Sequence, residues 1–307
     1  MLKKVTITNY LGRSVTYSFE EPTLDDESGL FITSIDGLGP VKANINMTDL
    51  VTSDGSVYNS SRLNSRNIVI HANFTYAKTI EEARLMSYQY FPIGRKVSIR
   101  IETNNRIADT TGYVESNEPD IFSDLSSVQI SILCESAFFS SADPSDKQKI
   151  DFSNSTPLFE FPFSNESVSQ KKIEFGRLIH RKRNNFRYEG DSETGCTITI
   201  NAIGTVENIE IINAKTNGRM KIDTDKLEAL TGDVIVNGDT ITICTVKGHK
   251  SITLLRNGVE TNILNVLGKD AEWFQLSRGD NEFAYDAEEG EPYIRFYIEV
   301  NSIFEGV

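Results

Sequence analysis

The chain has 307 residues, 38% hydrophobic and 24% charged, which is the balance of an ordinary globular protein. Its 44 acidic and 31 basic residues give a formal net charge of −13, which disfavours non-specific binding to nucleic acid. No stretch approaches the roughly 18 consecutive apolar residues of a membrane-spanning helix, and the start, MLKKVTITNY, alternates instead of entering a signal sequence, so we expect synthesis in a reducing cytoplasm and no membrane association.

The first half of the sequence predicts strands, because short runs rich in Val, Ile, Thr and aromatic residues alternate with polar ones. Residues 41–66 are mostly polar with little periodicity, which indicates either a loop excursion or a long flexible hairpin. The predicted strands are residues 5–9, 14–19, 31–35, 67–75, 95–102, 112–115 and 127–134.

One helix is predicted over residues 80–90. Thr79 and Glu82 have the spacing of a capping box, in which each side chain satisfies a free backbone N–H at the helix start. Phe91 and Pro92 end the helix, because a proline disfavours helical geometry in the residue before it.

The second half predicts almost entirely strands and turns. The small polar segment around residues 141–149 is a predicted linker, which gives a first domain over 1–140 and a second over 150–307, with a single large β domain as the alternative. Asn-Gly pairs at 217, 237 and 257 indicate tight turns between strands. The predicted strands are residues 158–163, 196–202, 207–213, 234–236, 240–246 and 293–300.

The fold class is therefore mainly β. We expect an N-terminal domain with the form of a β-sandwich or barrel and one short α-helix. The C-terminal domain is expected to be a β-sandwich of jelly-roll or lectin-like type.

The sequence indicates no catalytic, cofactor-binding or metal-binding residues. The histidines His71, His180 and His249 and the cysteines Cys134, Cys196 and Cys244 lie far apart, without the spacing of a metal site or a disulfide framework. The acidic pairs at 25–26, 81–82 and 288–289 are explained by turns or by a helix start. Arg278-Gly279-Asp280 is expected to be a hairpin tip.

Two surface features are candidates for binding. Aromatic residues are dense near the C-terminus, and Trp273 and Tyr285 are the weak candidates for a sugar-binding platform, although strand alternation places most of these rings in the core. A basic cluster stands out against the acidic chain and is expected to be a solvated face or a contact for an acidic subunit. It comprises Lys171, Lys172, Arg177, His180, Arg181, Lys182, Arg183 and Arg187.

An ordered series of motifs resembles the distal tail proteins of siphophages, which are long-tailed, non-contractile phages. After the predicted helix the series runs YFPIGRKV (90–97), NR (105–106), GYVE (112–115), EP (118–119) and VQISI (128–132). Later, WFQLSRGDNEFAY (273–285) is similar to the family's late hairpin, in which a Gly-x-Asn turn separates two strands. The order and spacing of the motifs match over most of the chain.

The resemblance implies a structural role without catalysis. The first domain would close into a hexameric ring that continues the tail tube, and the second would be a peripheral galectin-like domain. The implied partners are the major tail protein, tail-associated, tape-measure and receptor-binding proteins, in a virion tail tip assembled in the host bacterial cytoplasm. The alternatives are a carbohydrate-binding module that recognises host cell-wall glycans and, third, a cell-wall glycosidase.

Overall fold

The computed structural model describes residues 1–20, 29–50, 54–74, 79–120, 127–157, 176–180 and 182–307, with side chains omitted for 153–157 and 176–180. The mainly β prediction is confirmed. Two compact units are formed: unit 1 is Met1–Asp146 with Ile303–Val307, and unit 2 is Lys147–Ser302. The final five residues therefore belong to unit 1, whereas the sequence placed them with the second domain.

The described residues of unit 1 form two sheets and one α-helix. In chain order, its strands are β1 (Leu2–Asn9), β2 (Ser14–Ser18), β3 (Leu30–Asp36), β4 (Ala43–Asp49), β5 (Ser56–Leu63), β6 (Arg66–Phe74), β7 (Lys96–Thr103), β8 (Ile107–Pro119), β9 (Ser127–Cys134) and β10 (Phe139–Ser141). The main sheet runs β2-β1-β7-β8-β9-β6-β3, and β10 pairs with β8. Among the described strands, β4 and β5 pair only with each other.

The core of unit 1 follows from strand alternation. Along β7, Val97, Ile99 and Ile101 are buried while the residues between them face outward, and β1 buries Val5 and Ile7 on the same side. Side chains of successive strand residues point to opposite faces, so one face of each strand is apolar and the other polar. The predicted strands of the first half are confirmed, with β8 longer than expected.

The predicted helix is confirmed as α1 (Ile80–Tyr90). Thr79 Oγ1 accepts from the backbone N–H of Glu82, and the Glu82 carboxylate accepts from the N–H of Thr79, both over 3.3 Å. Ala83 and Ser87 face inward, and the chain leaves the helix at Phe91, which is buried.

The predicted linker is structured. Ser141 ends β10, a 3-10 helix covers Pro144–Asp146, and Lys147 begins strand β11 (Lys147–Asp151). The Ser141 hydroxyl donates to the Asp146 carboxylate, so the short polar side chains of this segment form hydrogen bonds with one another in a tight turn. The sequence indicated a linker because such a turn has the same small, polar composition.

Unit 2 contains two larger sheets that share one apolar core, the arrangement of a β-sandwich. The first runs β11-β22-β15-β18-β19-β20 and the second β14-β21-β16-β17, while β12 and β13 pair separately. The strands after β11 are β12 (Ser153–Pro157), β13 (Gly176–His180), β14 (Arg183–Tyr188), β15 (Thr197–Ala202), β16 (Glu207–Asn213), β17 (Gly218–Lys221), β18 (Thr240–Cys244), β19 (Ser251–Arg256), β20 (Val259–Asn262), β21 (Gly279–Glu289) and β22 (Ile294–Asn301). A last strand, β23 (Ile303–Phe304), pairs with β10 in unit 1.

Three expectations for the second half differ from the structure. A second helix, α2 (Thr224–Thr231), is present in a half for which the sequence indicated almost entirely strands and turns and no particular helix. Around 234–236 only an isolated bridge from Ile235 to Val206 forms. The expected hairpin around Arg278-Gly279-Asp280 is wrong, because Asp280 lies inside β21 and pairs with Arg187 of β14. The strand expected at 158–163 lies outside the described residues.

Candidate functional site

The feature of unit 1 that its own core does not explain is the hairpin of β4 and β5, which we call the ribbon. Every residue of its two strands is exposed except Ala43, which is half-buried. An isolated two-stranded hairpin is at best marginally stable in water. Among the residues that the structure describes, none forms the layer that normally covers one face of a sheet.

The ribbon nevertheless has an apolar face. Residues paired directly across two antiparallel strands lie on the same face, so Ile45, Met47, Tyr58 and Leu63 share one side. Their exposed fractions are 56%, 54%, 57% and 39%. The opposite side carries mainly amide, hydroxyl and charged groups, including Asn44, Asn46, Thr48, Ser60 and Arg62. This pattern is that of a half-buried strand pair, and the described part of the chain supplies no layer that covers its apolar face.

Side-chain hydrogen bonds hold the ribbon in shape along its length. Tyr58 donates to the Ser61 hydroxyl over 2.9 Å, and Ser56 donates to the Asp49 carboxylate near the turn over 2.9 Å. A bulge at Asn59 shifts the register, and the Asn59 amide donates to the Thr48 hydroxyl over 2.6 Å. Two of these side-chain hydrogen bonds link the two strands of the ribbon, the third lies within β5, and together they fix its conformation.

Arg66 anchors the base of the ribbon, where β5 gives way to β6. Its guanidinium is buried, with 1% of the residue exposed, and donates to the carbonyl oxygens of Gly37, Gly39, Ala137 and Glu305. It also lies 4.0 Å from the centre of the Phe139 ring. Arg66 therefore joins three separate backbone segments of unit 1 at the base of the ribbon.

The candidate sugar platform is not assembled as a pair of open rings. Tyr285 is 1% exposed and stacks on Phe296 with ring centres 5.0 Å apart, so its face is not open to a ligand. Trp273 is half-buried against the core of unit 2, with Lys250 Nζ 5.2 Å from its ring centre. The expectation that most of the C-terminal aromatic rings are core residues is confirmed for Phe274, Phe283, Tyr285 and Phe296.

The described part of the basic cluster pairs with acids of unit 2. Lys182 Nζ lies 2.6 Å from a Glu291 carboxylate oxygen, and Arg187 Nε lies 2.9 Å from Glu189. Arg183 lies at 3.9 Å from Glu282. The arrangement fits the solvated face expected from the sequence. Lys171, Lys172 and Arg181, and the side chains of Arg177 and His180, lie outside the described residues.

The histidines and cysteines fill ordinary structural positions. His71 Nε2 lies 3.2 Å from the Asp36 carboxylate on the neighbouring strand, and His249 is exposed in a turn. Cys134 and Cys196 are buried, and burial raises the pKa of the Cys196 thiol to about 12. Over the part of the chain that is described, no group of three His, Cys, Asp or Glu side chains is placed to hold a metal ion.

The acidic pairs are also accounted for locally. Glu81 and Glu82 lie in the first turn of α1, and Glu288 forms an ion pair with Lys221 over 2.8 Å. The pair at 25–26 lies outside the described residues. No helix in the described ranges is long and apolar enough to cross a membrane.

The solved structures similar to this chain are hub and baseplate proteins of phages. The SPP1 Dit (gp 19.1) protein, described as a paradigm of the hub adsorption apparatus of phages that infect Gram-positive bacteria, matches 98% of this chain and 99% of its own, with a TM-score of 0.64 and 13% identity. A chain of the phage P2 baseplate in its activated conformation matches 97% of this chain and 98% of its own, with a TM-score of 0.45 and 9% identity.

At this level of identity the likeness shows a shared fold. The chain has the fold of the SPP1 Dit protein over nearly its whole length, so the resemblance to distal tail proteins is confirmed at the level of structure. No protein-family model matches the sequence. No curated protein matches it either.

Proposed function

We propose that the protein is a structural hub of the distal tail tip of a long-tailed, non-contractile phage or prophage. In this proposal unit 1 assembles with copies of itself into a closed ring, hexameric in the family that the sequence resembles, and the ring joins the tail tube to tail-tip and receptor-binding proteins. Unit 2 is a peripheral galectin-like domain. The protein acts by geometry, without catalysis, in the virion.

The ribbon is the observation that carries this proposal. Its apolar face holds Ile45, Met47, Tyr58 and Leu63, all exposed in the single chain. Burying apolar surface contributes about 25 cal/mol per Å², and exposed apolar faces of this kind mark interaction sites. The exposed apolar face of the ribbon and the buried Arg66 at its base therefore support a role of the ribbon in assembly.

The shared fold supports the same reading. The SPP1 Dit protein is described as a hub, and the present chain matches it across both units. A fold alone does not specify a function. The exposed apolar face of the ribbon supports the proposal independently of the fold.

The test is the state of assembly of the purified chain and of a ribbon variant. Multi-angle light scattering is expected to give a multiple of the 34.4 kDa chain mass for the wild type. The triple variant Ile45→Ser, Met47→Ser and Tyr58→Ser is expected to be monomeric and to keep the circular dichroism spectrum of the wild type, since none of these side chains is buried in the monomer.

A matched control makes the same chemical change elsewhere. Ile203→Ser, Leu230→Ser and Val259→Ser replace three exposed apolar residues of unit 2, with exposed fractions of 45%, 50% and 65%, and should leave the assembly intact. A wild-type chain that stays monomeric at high concentration, and forms no ring when co-expressed with tail proteins, would contradict the proposal.

A further inference from the structure

A second uncovered surface lies at one end of the main sheet of unit 1. Tyr10 and Leu11 follow β1, Ile93 precedes β7, and Tyr113 lies on the outer face of β8, with exposed fractions of 52%, 62%, 66% and 42%. The pairings Asn9 to Val97 and Lys96 to Tyr113 bring these segments to the same end of the sheet. Together with the exposed cations beside them they form the rim patch: Tyr10, Leu11, Arg13, Ile93, Arg95, Lys96 and Tyr113.

The backbone of the rim patch is held in place. Asn9 is buried, with 5% of the residue exposed. Its side-chain amide donates to the Gln89 carbonyl over 3.0 Å, and its side-chain oxygen accepts from the backbone N–H groups of Leu11 and Arg13. Arg95 lies over the Tyr10 ring at 5.5 Å. The exposed apolar side chains therefore lie on a turn whose backbone is already ordered. Binding of a partner then costs little conformational entropy in this turn.

Charge distinguishes the rim patch from the ribbon. The patch carries Arg13, Arg95 and Lys96, all exposed, in a chain whose net charge is −13. Asp49 is exposed at the end of β4 and Asp54 is exposed two residues before β5, whereas the ribbon's Arg62 lies on the face opposite to Ile45 and Met47. Apolar groups on both surfaces, with cations on one and carboxylates on the other, give complementary faces.

We propose that the ribbon of one copy packs its apolar face on the rim patch of the next copy, with Asp49 and Asp54 facing Arg13, Arg95 and Lys96. The inference rests on the proposed ring and names the contact that builds it. Each copy offers one ribbon and one rim patch. A head-to-tail contact of this kind leaves neither surface uncovered once the ring closes.

The dimensions agree with such a contact. Each ribbon strand holds seven or eight residues and so extends about 23 to 27 Å at 3.3 to 3.4 Å per residue. A compact unit of this size has a radius of gyration of about 15 Å. The ribbon is therefore long enough to reach across the face of a neighbouring unit 1.

Two charge-reversed variants test the pairing. The ribbon variant is Asp49→Lys with Asp54→Lys, and the rim variant is Arg13→Glu, Arg95→Glu and Lys96→Glu. Each variant alone brings like charges together at every contact, so each is expected to be monomeric at concentrations at least tenfold above those at which the wild type assembles. Glu228→Lys with Glu260→Lys on unit 2 is the control, which repeats the ribbon variant's charge change at exposed positions and should assemble like the wild type.

An equimolar mixture of the two variants gives the specific signature. A positive ribbon then meets a negative rim patch, and a negative ribbon meets a positive one, so rings in which the two variants alternate are expected. Native mass spectrometry with one variant isotopically labelled should show equal numbers of the two in each ring.

The outcomes separate this inference from the proposed function. A ribbon variant that assembles like the wild type would overturn the pairing and leave the hub proposal standing. So would a mixture that stays monomeric, or a ribbon variant that keeps its ring but no longer binds the tail-tube protein. A wild-type chain that forms no ring would overturn the hub proposal and the pairing with it.

Discussion

Replacing Arg66 by methionine removes the side chain that ties three backbone segments of unit 1 together at the base of the ribbon. Methionine fills a similar volume without a charge or a donor. The carbonyl oxygens of Gly37, Gly39, Ala137 and Glu305 then lose the bonds that the Arg66 guanidinium donates to them.

The magnitude follows from those contacts. Each hydrogen bond contributes about 1 kcal/mol net, so the four acceptors account for about 4 kcal/mol. The contact with the Phe139 ring adds about 1 kcal/mol. Burial lowers the pKa of Arg66, which reflects the desolvation of its guanidinium, and removing a desolvated cation offsets part of the loss. We expect a loss of about 4 kcal/mol in the unfolding free energy of unit 1.

Two variants calibrate the result. Arg66→Lys keeps the charge but places its donors on one nitrogen, so it should recover about half of the loss. Arg62→Met makes the same chemical change at an exposed position on the ribbon and should stay within about 0.5 kcal/mol of the wild type.

Urea unfolding followed by hydrogen exchange and mass spectrometry reports on each unit separately, at one fixed protein concentration. The Val307 amide, which donates to the Leu38 carbonyl over 3.1 Å, should exchange faster in Arg66→Met. A loss below about 1 kcal/mol for unit 1, with the Val307 amide still protected, would refute the reasoning.

Three further predictions concern stability. Asp239→Asn should destabilise unit 2 by about 3 kcal/mol in thermal unfolding, because the carboxylate is 1% exposed and accepts two bonds from the Arg256 guanidinium; an unchanged melting temperature would contradict this. Tyr285→Phe removes a buried hydroxyl that has no hydrogen-bond partner among the described residues, so it should not destabilise unit 2 in urea and should gain about 1 kcal/mol. Burial also raises the pKa of Tyr285, so its hydroxyl ionises more readily in the unfolded chain; stability should fall as pH rises above the unfolded pKa of about 10, and less steeply in Tyr285→Phe. Gly37→Ala should cost more than 2 kcal/mol, since its Cβ would lie 2.0 Å from the Asn67 carbonyl at a φ of +86°, whereas Gly12→Ala, at +79° with no neighbour within 4 Å, should cost about 1 kcal/mol; equal losses would contradict the role of the clash.

The local parts of the fold could be predicted from the sequence because their signals are local. Alternation over residues 127–134 specifies both the strand and its buried face, and Thr79 with Glu82 specifies where α1 begins. The Asn-Gly pair at 257–258 predicts a tight turn, and both residues have positive φ, at 52° and 79°.

The remaining features depend on contacts that no short window contains. α2 has eight residues with only Thr224 and Leu227 buried, which is too little for a helical period to stand out. The return of Ile303–Val307 to unit 1 depends on β10 and on Arg66, far away in sequence. Asn281, read as part of a hairpin tip, instead bonds to Ser277 and Gly279 and shapes the turn that enters β21.

The ribbon shows the same limit most clearly. The sequence did not distinguish a loop from a hairpin for residues 41–66. Polar residues surround Ile45 and Met47, and the apolar residues of this segment are too few to show a strand period. The pairing of Met47 with Tyr58 reveals one apolar face only after the bulge at Asn59 is known. A face that the described part of the chain leaves exposed is not marked by burial within its own sequence.

The most direct measurement of the central claim is an electron cryo-microscopy reconstruction of the purified wild-type protein. We predict a closed, rotationally symmetric ring in which Ile45, Met47 and Tyr58 of each copy are covered by the next copy. Monomers, or rings in which both faces of the ribbon stand free in solvent, would contradict it.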